Sequence, residues 1–238
     1  MISVAEIFMS YQGEGPLAGT RTLFIRLQGC NFVCEWCDTA YAKKGKGTAY
    51  SAQDLFDKIK EFRVNEFDSF DICITGGEPM LQQRDPELLE FLQWASIHHR
   101  ITLETNGSIE PDPHFLRCFH LIVISPKLNC AGGRPISVET LMKFQDVVFA
   151  EETGARVIFK YVIDTQNPEY YINEVIKIHE QVVVEGVDVY LMPLVVSDSW
   201  LGMEKTLISG MQILQAYLED KNLPYSISTR LQNLIGFK

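Results

Sequence analysis

Short apolar runs alternate along the chain with longer stretches in which apolar residues recur at helical spacing. The stretch at 51–62 shows the helical pattern, since Leu55, Ile59 and Phe62 share one face behind an N-cap at Ser51. The shorter runs are rich in β-branched and aromatic residues, as buried strands are. The predicted strands cover residues 22–28, 71–75, 100–105, 121–126, 155–163, 187–195 and, with a weaker pattern, 224–229. The predicted helices cover residues 51–62, 85–99, 168–181 and 207–221.

The alternation of strands and helices decides the fold class. Strand–helix–strand units form parallel strands joined by right-handed crossovers. Six or seven such units predict an α/β fold, an incomplete (β/α)6-type TIM barrel, and a doubly wound open sheet is the alternative. No linker or low-complexity segment interrupts residues 1–238, so we expect a single domain.

Residues with unusual chemistry follow the first four predicted strands directly. They are "GCNFVCEWCDT" at 29–39, "GGEP" at 76–79, "NG" at 106–107 and "PK" at 126–127. In α/β folds the carboxyl ends of parallel strands carry the functional loops. We therefore expect all four segments to meet at one cavity.

Alternation within the strands predicts two charged side chains inside the barrel. Leu23, Ile25 and Leu27 share the face toward the helices, so Arg26 points inward, and the same argument turns Glu104 inward. A buried charge without a partner is very costly. Either Arg26 and Glu104 form an internal ion pair, or Arg26 binds an anionic ligand.

Composition and charge argue against several classes of protein. The 238 residues carry a formal net charge of −10, with 46% hydrophobic and 22% charged residues. No basic stripe is present, so we expect no nucleic-acid partner. No segment reaches the roughly 18 apolar residues of a membrane helix, and the start of the chain lacks the features of a secretory leader. We expect a cytoplasmic protein without a membrane partner.

Three of the six cysteines cluster, namely Cys30, Cys34 and Cys37. In a long chain without a leader this spacing favours a metal centre over a disulfide framework. A structural zinc site would need a fourth ligand nearby, and none is evident. Three thiolates on a [4Fe–4S] cluster leave one iron open for a further ligand. A zinc or electron-transfer module stays the alternative from another class.

The segment "CNFVCEWC" resembles the CxxxCxxC motif of the radical S-adenosylmethionine (SAM) superfamily, and "TGGEP" at 75–79 agrees with it. The resemblance implies a barrel of the radical SAM kind. It also implies a [4Fe–4S] cluster whose open iron binds SAM, and one-electron cleavage of SAM to a 5′-deoxyadenosyl radical that takes a hydrogen atom from the substrate.

Two further segments, "FMSYQGEGPLAGTRTLFIRLQGC" and "ISPKLNCAGG", resemble the 7-carboxy-7-deazaguanine synthase family within that superfamily. The resemblance covers about the first 135 residues closely and the rest loosely. It implies conversion of 6-carboxy-5,6,7,8-tetrahydropterin to 7-carboxy-7-deazaguanine with loss of ammonia, a step toward queuosine, assisted by Mg²⁺. The alternatives are an activating enzyme that makes a glycyl radical on a partner protein, and a binding protein without activity.

The resemblance also implies roles for individual residues. The implied catalytic residues are Cys30, Cys34, Cys37, Arg26 and Glu14. The implied metal ligands are Cys30, Cys34 and Cys37 for the cluster and Thr39 for Mg²⁺. The implied cofactor-binding residues are Trp36, Cys37, Asp38, Gly76, Gly77, Glu78, Glu104, Ser125, Pro126, Lys127, Met192 and Pro193. The implied substrate-binding residues are Tyr11, Gln12, Gly13, Glu14, Arg26 and Thr75.

Two segments depart from the family pattern. Where relatives often carry Q-P-x-S, this chain has "MPLV" at 192–195, so only backbone contacts carry over to Met192 and Pro193. The C-terminal "STRLQNLIGFK" also differs, and Arg230 is a candidate replacement for a histidine–lysine pair. His179 is expected to be a surface residue. The resemblance further implies an electron donor such as flavodoxin or ferredoxin, and a homodimer.

Overall fold

The computed structural model describes residues 1–65, 69–129, 137–150, 154–182, 187–196 and 199–235. Cys130, the rest of the "CAGG" segment and the last three residues lie outside these ranges. The strands are β1 (Ile2–Tyr11), β2 (Arg21–Leu27), β3 (Thr48–Tyr50), β4 (Asp71–Gly76), β5 (Ile101–Thr105), β6 (Leu121–Ile124), β7 (Arg156–Ile163), β8 (Asp188–Pro193) and β9 (Ser226–Ile227). The α-helices are α1 (Ala52–Phe62), α2 (Pro86–His98), α3 (Pro113–Leu116), α4 (Val138–Ala150), α5 (Pro168–His179), α6 (Trp200–Lys221) and α7 (Leu231–Ile235).

All strands of the described residues join one nine-stranded sheet in the order β3-β1-β2-β4-β5-β6-β7-β8-β9. The pairs from β2 to β9 are parallel, while β1 runs antiparallel to β2 and β3. After β2 the order advances in one direction and never reverses. A doubly wound sheet reverses its order at a switch point, so the sheet is an open, incomplete barrel.

The apolar face of the sheet packs against the helices as the strand pattern predicts. Leu23, Ile25 and Leu27 are fully or almost fully buried in the main core, and Leu103 of β5 joins them. A smaller apolar cluster around Ile158 fills part of the opposite, inner face. Near the carboxyl ends of the strands the inner face carries polar side chains beside a few apolar ones such as Phe24 and Val162.

Local signals account for the helix boundaries. The hydroxyl of Ser51 accepts from the backbone N–H of Asp54, whose carboxylate accepts from the backbone N–H of Ser51, and this capping box starts α1. The carboxylate of Asp85 caps α2 in the same position. Among the helices of the described residues, none is long and apolar enough to cross a bilayer.

The sequence does not predict two of the strands, β1 and β3, or three of the helices, α4 and the short α3 and α7. Strand β1 escapes prediction because most of its residues are half-buried and its apolar and polar positions do not alternate regularly. Helix α6 also begins several residues earlier than predicted, at Trp200, because Ser199 caps it. The antiparallel β1 matters for function, because it brings a further carboxylate to the inner face.

Candidate active site

The carboxyl ends of the parallel strands surround a cavity of about 290 Å³. It collects the cysteine loop after β2, the glycines after β4, the residues after β6 and the turn after β1. The single cavity expected from the sequence is present. Of the predicted site residues, those lining it are Tyr11, Gln12, Gly13, Glu14, Arg26, Cys30, Cys34, Trp36, Cys37, Asp38, Thr39, Thr75, Gly76, Gly77, Glu104, Ser125, Lys127 and Met192.

The three clustered cysteines are free thiols at one wall of the cavity, and each is partly exposed. The loop that carries them is held by hydrogen bonds: the Lys43 ammonium donates to the carbonyl of Cys34 at 2.9 Å, and the backbone N–H of Phe32 donates to Cys30 Sγ at 3.4 Å. Burial raises the pKa of the Cys30 thiol, although the N–H of Phe32 opposes this. Ligation by iron would oppose the raised pKa, because a metal deprotonates a coordinating thiol.

These thiols fit an iron–sulfur cluster better than a single metal ion. In the part of the chain that the structure describes, no group of three or more His, Cys, Asp or Glu side chains converges as one ion requires. A cubane cluster instead takes one thiolate at each of three separate irons, so its ligands are spaced apart. Cys30, Cys34 and Cys37 are free and line one cavity, so each would be able to bind a different iron of such a cluster.

Gly76, the last residue of β4, and Gly77 after it pack against the base of the cysteine loop. The backbone N–H of Gly77 donates to the carbonyl of Leu27 at 3.1 Å. A Cβ on Gly77 would lie 2.0 Å from the carbonyl oxygen of Gly29 and 2.9 Å from the Cβ of Cys30. Gly76 has φ +145°, and a Cβ there would lie 2.3 Å from the carbonyl oxygen of Leu27. Only glycine lets these segments meet.

Three predicted cofactor-binding residues, Glu78, Pro126 and Pro193, do not line the cavity. The carboxylate of Glu78 is 0% exposed and accepts from the Thr105 hydroxyl and the Asn106 N–H, both at 2.7 Å. Burial raises the pKa of Glu78, although these hydrogen bonds oppose the shift. Glu78 therefore ties the loop after β4 to the end of β5, and its predicted contact with a cofactor stays a prediction.

Arg26 has a partner that the sequence did not suggest. Its Nε donates to Glu6 Oε1 of β1 at 2.8 Å, and the hydroxyl of Tyr41 donates to the same carboxylate. The guanidinium also lies 6.0 Å from the ring centroid of Phe8, which stacks on Phe24. The structure gives Arg26 no direct ion pair with Glu104 among its described contacts. An arginine carries five N–H donors, so the guanidinium has donors besides the Nε–H that binds Glu6.

Glu14, in the turn after β1, is surrounded by donors from distant parts of the chain. Lys160 of β7 lies 2.5 Å from its Oε2, while Arg230 Nε and Gln232 Nε2 each lie 3.1 Å from its Oε1. Burial by itself would raise the pKa of Glu14. The charges of Lys160 and Arg230, with the hydrogen bonds of Lys160 and Gln232, lower it to about 2. Glu14 is an ionised carboxylate, an acceptor only.

Glu104 continues this polar network across the inner face. Its Oε1 accepts from Gln12 Nε2 at 3.2 Å and lies 3.9 Å from Lys160 Nζ, while its Oε2 accepts from Thr75 Oγ1 at 3.0 Å. Four of the predicted site residues are thereby linked through hydrogen bonds and ion pairs: Gln12, Glu14, Thr75 and Glu104.

The comparisons with known proteins agree on one family. Residues 24–117 match the model of the radical SAM superfamily. A 7-carboxy-7-deazaguanine synthase from Rhodopirellula baltica is 31% identical over 229 residues, 90% of this chain and 81% of the relative. Another from Hyperthermus butylicus is 35% identical over 201 residues, 82% of this chain and 77% of that protein. The chain belongs to the 7-carboxy-7-deazaguanine synthase family.

The fold agrees with this family. The crystal structure of QueE from Escherichia coli superimposes with a TM-score of 0.65 over 95% of this chain and 92% of that one, at 20% identity. That likeness concerns the fold alone, and it confirms the predicted incomplete α/β barrel. Membership of the radical SAM superfamily implies a [4Fe–4S] cluster and SAM. The free thiols and the packed glycines described above fit both groups.

Sequence reasoning missed several polar residues of this 7-carboxy-7-deazaguanine synthase family member. Glu6 lies on the unpredicted β1, whereas Lys160 lies on a predicted strand, β7. Phe159 and Tyr161 face the core beneath the helices, so Lys160 between them must face inward. The alternation along β7 therefore predicts the direction of this side chain. The sequence indicates Arg230 only as a replacement for a histidine–lysine pair, and Gln232 carries no local signal.

Proposed function

We propose that this protein converts 6-carboxy-5,6,7,8-tetrahydropterin to 7-carboxy-7-deazaguanine with loss of ammonia. One observation carries the proposal: a cavity with three free thiols on one wall also holds an inward arginine and an ionised glutamate. The names of the relatives from Rhodopirellula baltica and Hyperthermus butylicus support the same activity. Product formation would feed a pathway to queuosine or another deazapurine.

The charged residues suit the two ends of this substrate. The hydrogen bond to Glu6 orients Arg26, whose other N–H groups would donate to the substrate carboxylate. A guanidinium fork binds a carboxylate in bidentate fashion. Glu14 is ionised, so it accepts hydrogen bonds from the amide and amino groups of the pterin edge. Gln12 and Thr75 lie beside them in the network around Glu104.

The cofactors are assigned to the opposite wall. Cys30, Cys34 and Cys37 would hold the cluster, and the backbone after β4 would accept the methionine part of SAM close to Gly77. When bound, the cluster and SAM supply the one-electron chemistry that removes a hydrogen atom from the substrate. The protein positions the substrate and limits access of water, since Glu14 and Arg26 are mostly buried.

Further assignments belong to the same proposal. Thr39 lines the cavity, with Oγ1 3.7 Å from Cys37 Sγ, and its hydroxyl is a suitable oxygen ligand for Mg²⁺ beside the substrate carboxylate. A flavodoxin or ferredoxin would supply the electron. The enzyme would be a cytoplasmic homodimer composed of single-domain protomers.

An anaerobic assay tests the proposal. The protein is reconstituted with iron and sulfide and incubated with SAM, Mg²⁺, a strong reductant and 6-carboxy-tetrahydropterin, and 7-carboxy-7-deazaguanine is sought by mass spectrometry. We expect product from the wild type and from Cys118→Ala, since Cys118 is buried outside the cavity, and none from Cys34→Ala. Formation of 5′-deoxyadenosine without product would reject the substrate and keep the radical chemistry. Failure of both would reject the enzymatic function.

A further inference from the structure

Lys160 is a buried cation placed between two carboxylates. Its residue is 6% exposed, and its side chain enters the cavity from β7, across from the turn that carries Glu14. The ammonium nitrogen lies 2.5 Å from Glu14 Oε2 and 3.9 Å from Glu104 Oε1. No site residue inferred from the sequence lies on β7, and the proposed function assigns Lys160 no role.

The arrangement around Glu14 divides its two oxygens between different donors. Arg230 and Gln232 both donate to Oε1, whereas Lys160 reaches Oε2. Each carboxylate oxygen has about two lone-pair sites, so Oε1 is fully used and Oε2 keeps one site. The acceptor that Glu14 presents to a ligand is therefore the oxygen that Lys160 holds.

We propose that Lys160 is a positioning residue for substrate recognition. Its ammonium group fixes Glu14 Oε2 as an ionised acceptor facing the cavity, and this selects a ring edge that presents N–H donors over one that presents a carbonyl oxygen. The inference rests on the proposed function, since it concerns how the same cavity distinguishes a 2-amino-4-oxopteridine from a 2,4-dioxopteridine. An ionised carboxylate repels the additional carbonyl oxygen of the dioxo ring, whereas a protonated one can donate to it.

Charge balance supports a role through Glu14. Burial opposes the charged form of Lys160, but Glu14 and Glu104 raise its pKa above the ordinary value, so it remains a cation near neutral pH. Replacing Lys160 by a neutral residue leaves Glu14 with one cation, Arg230, against an unchanged burial penalty. The pKa of Glu14 should then rise toward neutral pH. The other ionisable groups facing this pair are Arg230, Glu104, Arg26, Lys127 and the thiol of Cys73.

The experiment measures binding without turnover. The reconstituted, SAM-loaded enzyme is titrated with 6-carboxypterin and with its 2,4-dioxo analogue, 6-carboxylumazine, between pH 5 and pH 8, with ligand fluorescence as the signal. In the wild type we expect 6-carboxypterin binding to show no transition from Glu14 in this range, since the pKa of Glu14 is about 2. In Lys160→Met the affinity should fall by roughly 30-fold at pH 6. The preference for the amino ligand should shrink at least tenfold there, and both effects should diminish as the pH rises.

Conservative and paired variants separate positioning from folding. Lys160→Arg keeps the charge and should restore most of the preference, while Lys58→Met, on the exposed face of α1, should match the wild type. If Lys160→Met fails to fold, Lys160→Met combined with Glu14→Gln removes both charges and relieves the unpaired carboxylate. This double variant should bind like Glu14→Gln alone, because Lys160 acts through Glu14.

The outcomes distinguish this inference from the function on which it rests. If the wild type binds neither ligand, the proposed substrate is wrong and the inference falls with it. If the wild type binds 6-carboxypterin but Lys160→Met keeps its pH profile and ligand preference, the inference alone is overturned. The inference is also overturned if adding Lys160→Met to Glu14→Gln lowers the affinity for 6-carboxypterin by the same factor as Lys160→Met lowers it in the wild type.

Discussion

At the scale of single residues, two inward cations of the cavity, Arg26 and Lys160, are each matched by a carboxylate from another element. Arg26 of β2 meets Glu6 of β1, and Lys160 of β7 meets Glu14 of the turn after β1. Burying a charge is tolerable only with such a partner and its hydrogen bonds. The partner also fixes the direction of the side chain, which leaves the guanidinium of Arg26 turned to the cavity it lines.

Arg26→Lys should reduce the kcat/KM for the pterin substrate by about 30-fold. The planar guanidinium can bind Glu6 and the substrate carboxylate at the same time, and the ammonium group of lysine lacks that fork. The loss should appear mainly in KM, and the cluster content should stay at the wild-type level. Steady-state kinetics beside iron and sulfide analysis measure both quantities. Arg21→Lys is the matched control, because Arg21 lies on the same strand and reaches the carbonyl of Phe62 outside the cavity. Equal kinetics for the two variants would remove Arg26 from substrate binding.

His179 contributes to the pH dependence of stability rather than to the site. The expectation of a surface residue is wrong, since its ring packs edge-on against Phe159 and Tyr161, and its buried Nε2 has no hydrogen-bond partner in the described part of the chain. Burial lowers its pKa from 6.5 to about 4. Below pH 6.5 the unfolded chain therefore binds a proton at this residue, whereas the folded protein binds it only near pH 4. The free energy of unfolding consequently falls as the pH is lowered from 6.5 to 4, and it rises again as the pH is raised.

The variant His179→Phe should remove that pH dependence. In the wild type this residue lowers the free energy of unfolding by about 2 kcal/mol between pH 7 and pH 5, and the variant should lack this contribution. Urea denaturation at the two pH values gives the difference. His98→Phe, on the exposed side of α2, should behave like the wild type. An unchanged pH dependence in His179→Phe would show that the ring is protonated in the folded state.

At the scale of elements, the contact between the loop after β4 and the cysteine loop sets the geometry of the cofactor wall. The glycines permit it because the Cβ of any other residue would overlap the backbone of Gly29 or Leu27. Glu78, directly after them, locks the neighbouring loop to Thr105 and Asn106. The segment "GGEP" thus has a structural reason for its composition besides any ligand that it binds.

Gly77→Ala should abolish cluster loading, with activity lowered at least about 100-fold, because the new methyl group forces the loop of Cys30 away from β4. Iron and sulfide content after reconstitution, with circular dichroism as the check of folding, are the measurements. Gly19→Ala is the matched control, since Gly19 has φ +89° but open space around it. This substitution introduces backbone strain without a steric overlap. Normal cluster content in Gly77→Ala would mean that the loop is not held by this contact.

The sequence predicts the parallel strands and the convergence of their loops, and it predicts less well what depends on contacts between distant segments. The inward direction of Arg26 follows from alternation within β2, whereas its partner Glu6 lies on an antiparallel strand without a clear pattern. The same alternation places Lys160 inside, but nothing local shows that it meets Glu14, 146 residues away. The position of Arg230 against Glu14 depends on the packing of the C-terminal segment, which no periodic pattern describes.

At the scale of the whole molecule, the sheet is open, and the C-terminal segment connects the β9 edge to the turn after β1. Residues 228–232 follow β9 and bind the turn after β1, because the Leu231 N–H and the Thr229 hydroxyl both donate to the carbonyl of Gly13. Arg230 then joins Glu14 to Asp38 of the cysteine loop, at 3.1 and 2.6 Å. Side chains thereby close one side of the cavity where a complete barrel would use a strand ladder.

Removing this bridge should weaken substrate binding without disturbing the cluster. In Arg230→Ala combined with Gln232→Ala, Glu14 loses both donors to Oε1, so we expect KM for the pterin to rise about tenfold. The kcat value should change little, because Lys43 still holds the cysteine loop through the carbonyl of Cys34. Steady-state kinetics and iron content measure the two effects.

Asn233→Ala is the matched control, since Asn233 lies on the same short helix as Gln232, α7, and contacts Met203. Loss of iron in the double variant would instead show that Arg230 supports the cysteine loop through Asp38. An unchanged KM would show that substrate binding does not need closure of the cavity by the C-terminal segment.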